Sequence, residues 1–256
     1  MDYRNNVRSA QKVMFSLLKE FDNICKKHEL CYWIDHGTLL GAVRHKGFIP
    51  WDDDLDVTMP REDYEMFLKI AQYKLPSNIF LQTKETDPAT HVHHAKLRDR
   101  KSTYIEDWQE NKEIYAHQGI FIDIFPVNYI EPAKTVMYQY LVSLSKLFCN
   151  RYIRIDRIAQ WFIKKLNQFH DCGNDYIVSG GENMHYVTHV DKETVFPLDT
   201  LKFEGIDVPV PKDSHNYLVS IFGESYMILP PKEKQKVHST YINTQELCRY
   251  EKRKNG

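Results

Sequence analysis

Four carboxylates fall within five positions, Asp52, Asp53, Asp54 and Asp56, inside an apolar frame of Ile49-Pro50-Trp51 before them and Leu55 and Val57 beside them. Like charges packed this closely repel, and the cost is high in apolar surroundings unless a cation offsets it. Hard cations such as Mg²⁺ take oxygen ligands, commonly one or two carboxylates with phosphates completing the shell. The segment therefore points to phosphate chemistry on a metal. An acidic run is ordinarily a solvated turn, but the flanking Ile-Pro-Trp and Leu-x-Val oppose pure solvation. A calcium loop fails as well. Asp52, Asp54 and Asp56 fit its first, third and fifth positions, but Val57 stands where the sharp turn needs Gly, Asp63 where a bidentate Glu belongs, and Pro50 where the entering helix should run.

A net charge of −1 over 256 residues gives no basic field, so no nucleic-acid partner is expected. Five scattered cysteines (Cys25, Cys31, Cys149, Cys172, Cys248) include no C-x-x-C pair. A structural zinc site is not expected, and free thiols fit a reducing cytoplasm. The first residues, MDYRNNVRSAQ, lack an apolar stretch, so no signal peptide is expected. The segment from Val136 to Cys149 is interrupted by Gln139, Ser143, Ser145 and Lys146, so it reads as an amphipathic helix and not a membrane span.

Apolar residues at three- and four-residue steps predict a helix over 8–28. Cys31 to Ile34 reads as a strand, and Thr38 as the cap of a short helix through Arg44 that Gly47 and Pro50 end. Alternation over 54–59 predicts a strand that Pro60 closes, followed by a helix over 61–73. Strands are expected at 79–82, at 93–97 and at 119–126, the last flanked by Gly119 and stopped by Pro126. Helices follow at 133–149 and 155–170, a linker or surface loop at 171–182, short strands around 201–210, a helix at 213–222, and a charged C-terminal helix after Pro230-Pro231. The fold class is α/β (α+β): a mixed-sheet core with flanking helices over 1–130, and a mostly helical accessory portion over 131–256 packed on it. The helices around 136–149 and 155–166 have Tyr, Trp161 and Lys/Arg suited to peripheral membrane contact, although packing on the core is the preferred use.

Strand alternation places Asp54 and Asp56 on one face, and sets Asp123 opposite Ile122 and Ile124 in an apolar strand. If those strands are neighbours, three carboxylates converge on one or two metals, as in in-line phosphoryl displacement. Gly37-Thr38 with Gly41 offers close backbone approach and a helix N-terminus, a cradle for phosphate. Arg44-His45-Lys46 follows as charge compensation or as a plain basic helix end. Lys96 and Arg98 share a strand face and suit phosphate oxygens, with ordinary surface pairing an equal alternative. His91, His93 and His94 read as polar surface or supporting residues. Tyr104, Trp108 and Tyr115 could contribute to an aromatic cage for a quaternary ammonium, although core packing is the commoner use of such residues.

These blocks, GTLLGAVRHKGFIPWDDDLDV (37–57), AKLRDRKSTYIE (95–106), GIFIDIFPV (119–127) and FEGIDVPVPKDSHNYLVSIFGESYMILPP (203–231) with His238 after it, resemble the LicD family, whose members transfer phosphocholine and related phospho-alcohols to surface glycans. The family is similar to the fukutin-related phosphoribitol transferases and shares the nucleotidyltransferase fold. The resemblance implies that Gly37-Thr38, Asp54, Asp56 and Asp123 fill that fold's Gly-Ser/Thr turn, Asp-x-Asp strand and third Asp. It further implies Mg²⁺ (or Mn²⁺) on Asp54, Asp56 and Asp123, and a CDP-activated donor such as CDP-choline. Arg44, Lys96 and Arg98 would neutralise phosphate oxygens, and a glycan hydroxyl, possibly on a lipid-linked acceptor, would displace CMP. Asp123, Asp52 and His45 stay open as acceptors of the hydroxyl proton. The zinc-binding cysteines of some eukaryotic relatives have no counterpart here.

Overall fold

The computed structural model describes residues 3–106, 116–148, 156–183 and 189–255. The first helix, α1 (Tyr3–Lys27), buries Ala10, Met14, Leu17, Leu18, Phe21 and Cys25, the stripe that its period predicts. It lies against the sheet and packs on β4 (Ala95–Asp99) and on β6 (Phe121–Ile130). The other elements of the first half are β1 (Trp33–Ile34), α2 (His36–His45), β2 (Asp56–Pro60), α3 (Arg61–Lys74), β3 (Ile79–Gln82) and β5 (Thr103–Glu106). The second half contains α4 (Thr135–Phe148), α5 (Asp156–Asn167), β7 (Tyr176–Ser179), β8 (His189–Asp191), α6 (Lys192–Val195), β9 (Asp199–Phe203), β10 (Ile206–Val210), α7 (Ser214–Phe222), β11 (Ser239–Asn243) and α8 (Arg249–Asn255).

Among the described residues the main sheet has seven strands in the order β1-β2-β6-β4-β3, with β7 paired to β6 and β8 to β7. β2 and β6 run parallel and the other pairs antiparallel, which makes the sheet mixed. This is the α/β architecture that the pattern of strands and helices predicts. The central strand, β6, is buried along all ten residues and does not stop at Pro126 as expected. The carbonyl of Pro126 accepts the Gly180 N–H at 2.8 Å. Its absent N–H falls on the same strand edge, between the residues paired with β4 (121–124) and those paired with β7 (127–130). No ladder bond is lost there, so the ring is tolerated inside the strand.

α2 begins earlier than expected. Asp35, not Thr38, caps it, accepting the His36 N–H at 2.7 Å and the Thr58 hydroxyl at 2.6 Å. The helix ends after His45, where Lys46 turns into the left-handed region (φ 58°) and its N–H returns to the Ala42 carbonyl. Gly41 allows that turn to close: an added Cβ would stand 2.5 Å from the Gly47 carbonyl oxygen.

The expected loop at 171–182 contains β7, with Ile177 and Val178 fully buried. β5, β8 and β11 were also not foreseen. β11, in the stretch after Pro230-Pro231, pairs with β5 ahead of α8. The second half is thus threaded into the first by strands as well as covered by helices. α4 and α5 pack on each other around Tyr138, Val142, Phe162 and Leu166, which meet Ile130 of β6 and Val178 of β7 in a second small core.

Arg61 ties these parts together from the first position of α3. It is buried, and its guanidinium bonds Asn128 of β6 at 3.0 Å, Asn167 of α5 at 3.0 Å and both Glu182 oxygens at 2.8 Å. Arg61→Ala leaves Glu182 without its cation and is expected to cost about 3–5 kcal/mol, read by equilibrium urea unfolding. Arg61→Lys should recover only part of this, because an ammonium cannot reproduce the fork. An unchanged denaturation midpoint for Arg61→Ala would remove Arg61 from this role.

Candidate active site

Three strands set one polar row across the middle of the sheet. β2 and β6 pair Asp56 with Asp123, and β6 and β4 pair Asp123 with Lys96. Adjacent strands lie about 4.8 Å apart, so these side chains are neighbours on one face. The Lys96 ammonium is 2.9 Å from Asp123 Oδ1 and sits over the Phe121 ring at 3.6 Å. His94, two residues before Lys96 and so in phase with it, places Nε2 2.8 Å from the same oxygen. Burial alone would raise the Asp123 pKa, but Lys96 and His94 outweigh it and pull the carboxyl down to about 2. Asp123 is thus a compensated anion.

The acidic run divides by alternation. Asp53 turns inward, fully buried, and accepts four hydrogen bonds: Tyr104 Oη (2.9 Å), the His238 and Ser239 N–H groups (2.9 Å each) and Ser239 Oγ (2.5 Å). Asp52 and Asp54 turn the other way. Together with His238 they form a triple whose ligand atoms all lie within 4.8 Å of one another. Asp54, Asp56 and Asp123 do not close to that separation among the described residues, since Asp123 is drawn toward Lys96 and His94. Burial raises Asp54 to about 6, helped by Asp53 and Asp123 and opposed by His238. Burial and then Asp54 push Asp52 well above the ordinary range, and the same pair of causes, with Asp123, does so for Asp56. Three carboxyls therefore stand near one another, with Arg44 and His238 relieving their charge only in part. This oxygen-rich set could hold a hard divalent ion: Asp52 and Asp54 stand close enough, with His238, to share one, and Asp56 and Asp123 flank them.

α2 borders the pocket. Gly37 faces Asp52, and a Cβ there would stand 2.8 Å from Asp52 Oδ2, so only glycine permits the approach. Thr38 is buried, and its hydroxyl accepts the Asp56 N–H at 2.9 Å, fixing the start of β2 instead of facing a ligand. Arg44 Nε donates to His45 Nε2 at 3.0 Å, and Nη1 to the Tyr226 carbonyl at 3.0 Å. Desolvation and then Arg44 lower the His45 pKa, so His45 stays neutral with Nε2 occupied.

Two sequence expectations are corrected. Arg98 is 1% exposed, and its guanidinium is spent on Gln82 Oε1 (2.5 Å) and the Gly119 carbonyl (2.7 Å), so it braces the sheet and does not reach a phosphate. Tyr104 is buried against Phe121 with its hydroxyl on Asp53, which removes it from any cage around choline. Trp108 and Tyr115 lie outside the described residues. Of the two open readings for His94, polar surface or support, the bond to Asp123 fits support, while the role of Asp53 went unseen. The period-two spacing of His94, Lys96 and Arg98 was the available signal for His94, and nothing local pointed to Asp53. A second ligand-capable triple, Glu62, His170 and Cys172, lies near the start of α3. There His170 Nδ1 accepts the Tyr129 N–H, which leaves the proton on Nε2 facing Glu62 at 2.7 Å, a donor and not a ligand.

Asp53→Asn replaces one acceptor oxygen by an amide facing donors and is expected to cost roughly 2–4 kcal/mol in urea unfolding, with Tyr104→Phe costing about 1 kcal/mol. Full stability of Asp53→Asn would refute the buried anchor.

A family model described as LicD/FKTN/FKRP, nucleotidyltransferase domain, matches residues 29–154, the span that holds α2, the acidic run, Lys96 and Asp123. The chain is 27% identical over 259 residues to the lipopolysaccharide cholinephosphotransferase LicD of Haemophilus influenzae, covering 91% of this chain and 95% of that one. It is 36% identical over 131 residues to an uncharacterized protein of Rickettsia typhi, across 44% of this chain and 40% of the other. A shorter match, 29% over 69 residues, joins it to mannosyltransferase regulator 4 of Saccharomyces cerevisiae, across 27% of this chain and 6% of that one. With the matched domain lying over the acidic pocket and one relative aligned almost end to end, the chain belongs to the LicD family of phosphotransferases.

Proposed function

We propose that this chain transfers phosphocholine from CDP-choline to a hydroxyl of a cell-surface glycan, such as lipopolysaccharide, teichoic acid or a capsule repeat, with release of CMP and with Mg²⁺ (or Mn²⁺) as cofactor. The observation that carries this reading is the juxtaposition of Asp52, Asp54 and Asp56 with the Asp123–Lys96 pair across β2, β6 and β4. The near full-length likeness to a lipopolysaccharide cholinephosphotransferase supports the choline and glycan part. A divalent ion held by Asp52 and Asp54, with Asp56 and Asp123 beside it, would neutralise the donor diphosphate and the charge developing on CMP.

The protein's own groups supply the rest. Lys96 and Arg44 are the cations nearest the acidic set, and together they offer positive charge to non-bridging phosphate oxygens. Asp123, kept ionised by Lys96 and His94, is a weak base. His45 is neutral, with its Nε2 turned to Arg44. A second reading keeps this machinery and changes the alcohol to phosphoribitol, phosphoethanolamine or phosphoglycerol. Tyr104's commitment to Asp53 favours it, because one of the aromatics expected around choline is absent from the pocket.

The decisive assay incubates the purified chain with Mg²⁺, a glycan acceptor and either CDP-choline or CDP-ribitol, and follows CMP and labelled alcohol on the glycan. CDP-choline should be the better donor; label arriving from the nucleoside instead would show a nucleotidyltransferase. Asp54→Asn and Asp56→Asn should each lower transfer by about 10²–10³-fold or more, and near-normal turnover in either would sink the assignment.

The pocket also predicts a pH signature. A carboxyl whose pKa is raised on folding adds stability below its unfolded value, and that contribution is lost as pH rises through the folded value. For Asp54 the loss spans about pH 4 to about 6, and Asp52 and Asp56, raised in the same direction, add to it. Metal-free protein should therefore lose stability across this range. Mg²⁺ should raise the melting temperature much more at pH 7.5 than at pH 5, and Asp54→Asn should flatten the difference.

A further inference from the structure

We propose that the outward faces of α4 and α5 form a docking surface for an anionic lipid bilayer. α4 turns Tyr138 and Val142 to the small core beneath it, yet its opposite side is also apolar: Val136 is 75% exposed, Met137 61% and Tyr140 63%. α5 buries Ala159, Phe162 and Leu166 and presents Trp161, 51% exposed, beside Lys164 and Lys165. The Lys165 ammonium lies 5.9 Å from the Trp161 ring centroid. Exposed large apolar side chains on a helix that already has a buried stripe are not needed for the fold, and such a patch marks a contact surface.

Charge selects the partner. The described side chains of the two helices include Arg157, Lys164 and Lys165 and no acidic residue, a net of +3 in a chain whose total is −1. A two-fold contact between copies of this chain would set like charges against each other. An anionic headgroup layer meets the same charges favourably, while Trp, Tyr and aliphatic side chains enter the interfacial zone. Among the described residues no helix is long and apolar enough to cross a membrane, so this contact would be peripheral. Seven steps along β6 lead from Asp123 to Ile130 beneath the helices, roughly 23 Å along the strand at about 3.3 Å per residue. A docked hairpin would therefore leave the pocket uncovered. The inference does not rest on the transfer chemistry and can fail or hold independently of it.

The test is flotation of the full chain with vesicles of phosphatidylcholine alone and of phosphatidylcholine mixed with phosphatidylglycerol, at low and at high salt. Binding should require the anionic lipid and weaken with salt. Lys164→Glu with Lys165→Glu should reduce partitioning about tenfold or more, and Met137→Ser with Tyr140→Ser should do so by a similar factor. All four positions are exposed, so thermal unfolding of the variants should match that of the parent. Vesicles should also shift tryptophan emission to the blue, a signal missing in Trp161→Phe although that variant still floats. The proposal is overturned if the parent chain stays with the buffer in the presence of anionic vesicles, or if the variants float as well as the parent. It is equally overturned if sedimentation equilibrium shows a dimer that Met137→Ser with Tyr140→Ser dissolves, which would make the face a contact between copies.

Discussion

Repulsion among neighbouring carboxylates is the constraint around which the rest of this molecule is arranged. Asp52, Asp54 and Asp56 are half-buried close together; burial raises the proton affinity of all three, and Asp54 adds to it at Asp52 and Asp56. A fold can tolerate this only if the backbone bearing them is fixed by contacts that do not depend on their charge. Such contacts surround the segment. Gln11 of α1 donates to the carbonyls of Ile49 (3.1 Å) and Asp52 (2.8 Å), the Thr38 hydroxyl takes the Asp56 N–H, and the Asp35 N–H bonds the Asp56 carbonyl at 3.0 Å. The parallel ladder to β6 does the rest. Charge relief is thereby left to whatever ligand enters the pocket, which suits a site that must bind and release a charged donor.

Much of this was legible because local pattern and global fold agree where burial is greatest. The stripe of α1, the alternation of β2 and the apolar run of β6 each carry their structure in a few consecutive residues, and Asp123 announced itself by interrupting that run. Elements whose reason is remote were missed. β7 is four residues between polar flanks, and the edge of β6 on which it forms lies some fifty residues earlier. β5 and β11 define each other across more than a hundred residues. Pro126 looked like a stop because the change of partner along one edge of β6 is invisible in one strand's sequence.

The pocket follows the same division. For Lys96 and Arg98, in phase on one strand face, the sequence leaves phosphate binding and ordinary pairing equally open. The difference between them is what each meets: Lys96 lies opposite Asp123, whereas Arg98 lies opposite Phe121 with Gln82 and the Gly119 carbonyl ready to accept its protons. Thr38 is a similar case. A threonine near a helix start suggests a cap, but Asp35, three residues earlier, accepts the His36 N–H and the Thr58 hydroxyl at once, and Thr38 is freed to hold Asp56.

The acidic run makes the cost of misalignment explicit. Its even members, Asp52 and Asp54, point to the ligand side, while the odd one, Asp53, is the acceptor that anchors His238 and Ser239 and, through them, β11. In an extended segment the side-chain period is two, so a slip of one residue would exchange these roles. It would bury three carboxylates, Asp56 among them, where one set of donors exists and leave a single carboxylate for the ligand side. The contacts of Gln11, Asp35 and Thr38 hold the segment in phase, and Asp53 in turn brings the chain after Pro231 to the pocket, where His238 completes the triple with Asp52 and Asp54. A segment near residue 240 is therefore part of a site whose acidic core lies some two hundred residues earlier, and the matched domain at 29–154 cannot by itself account for the whole pocket.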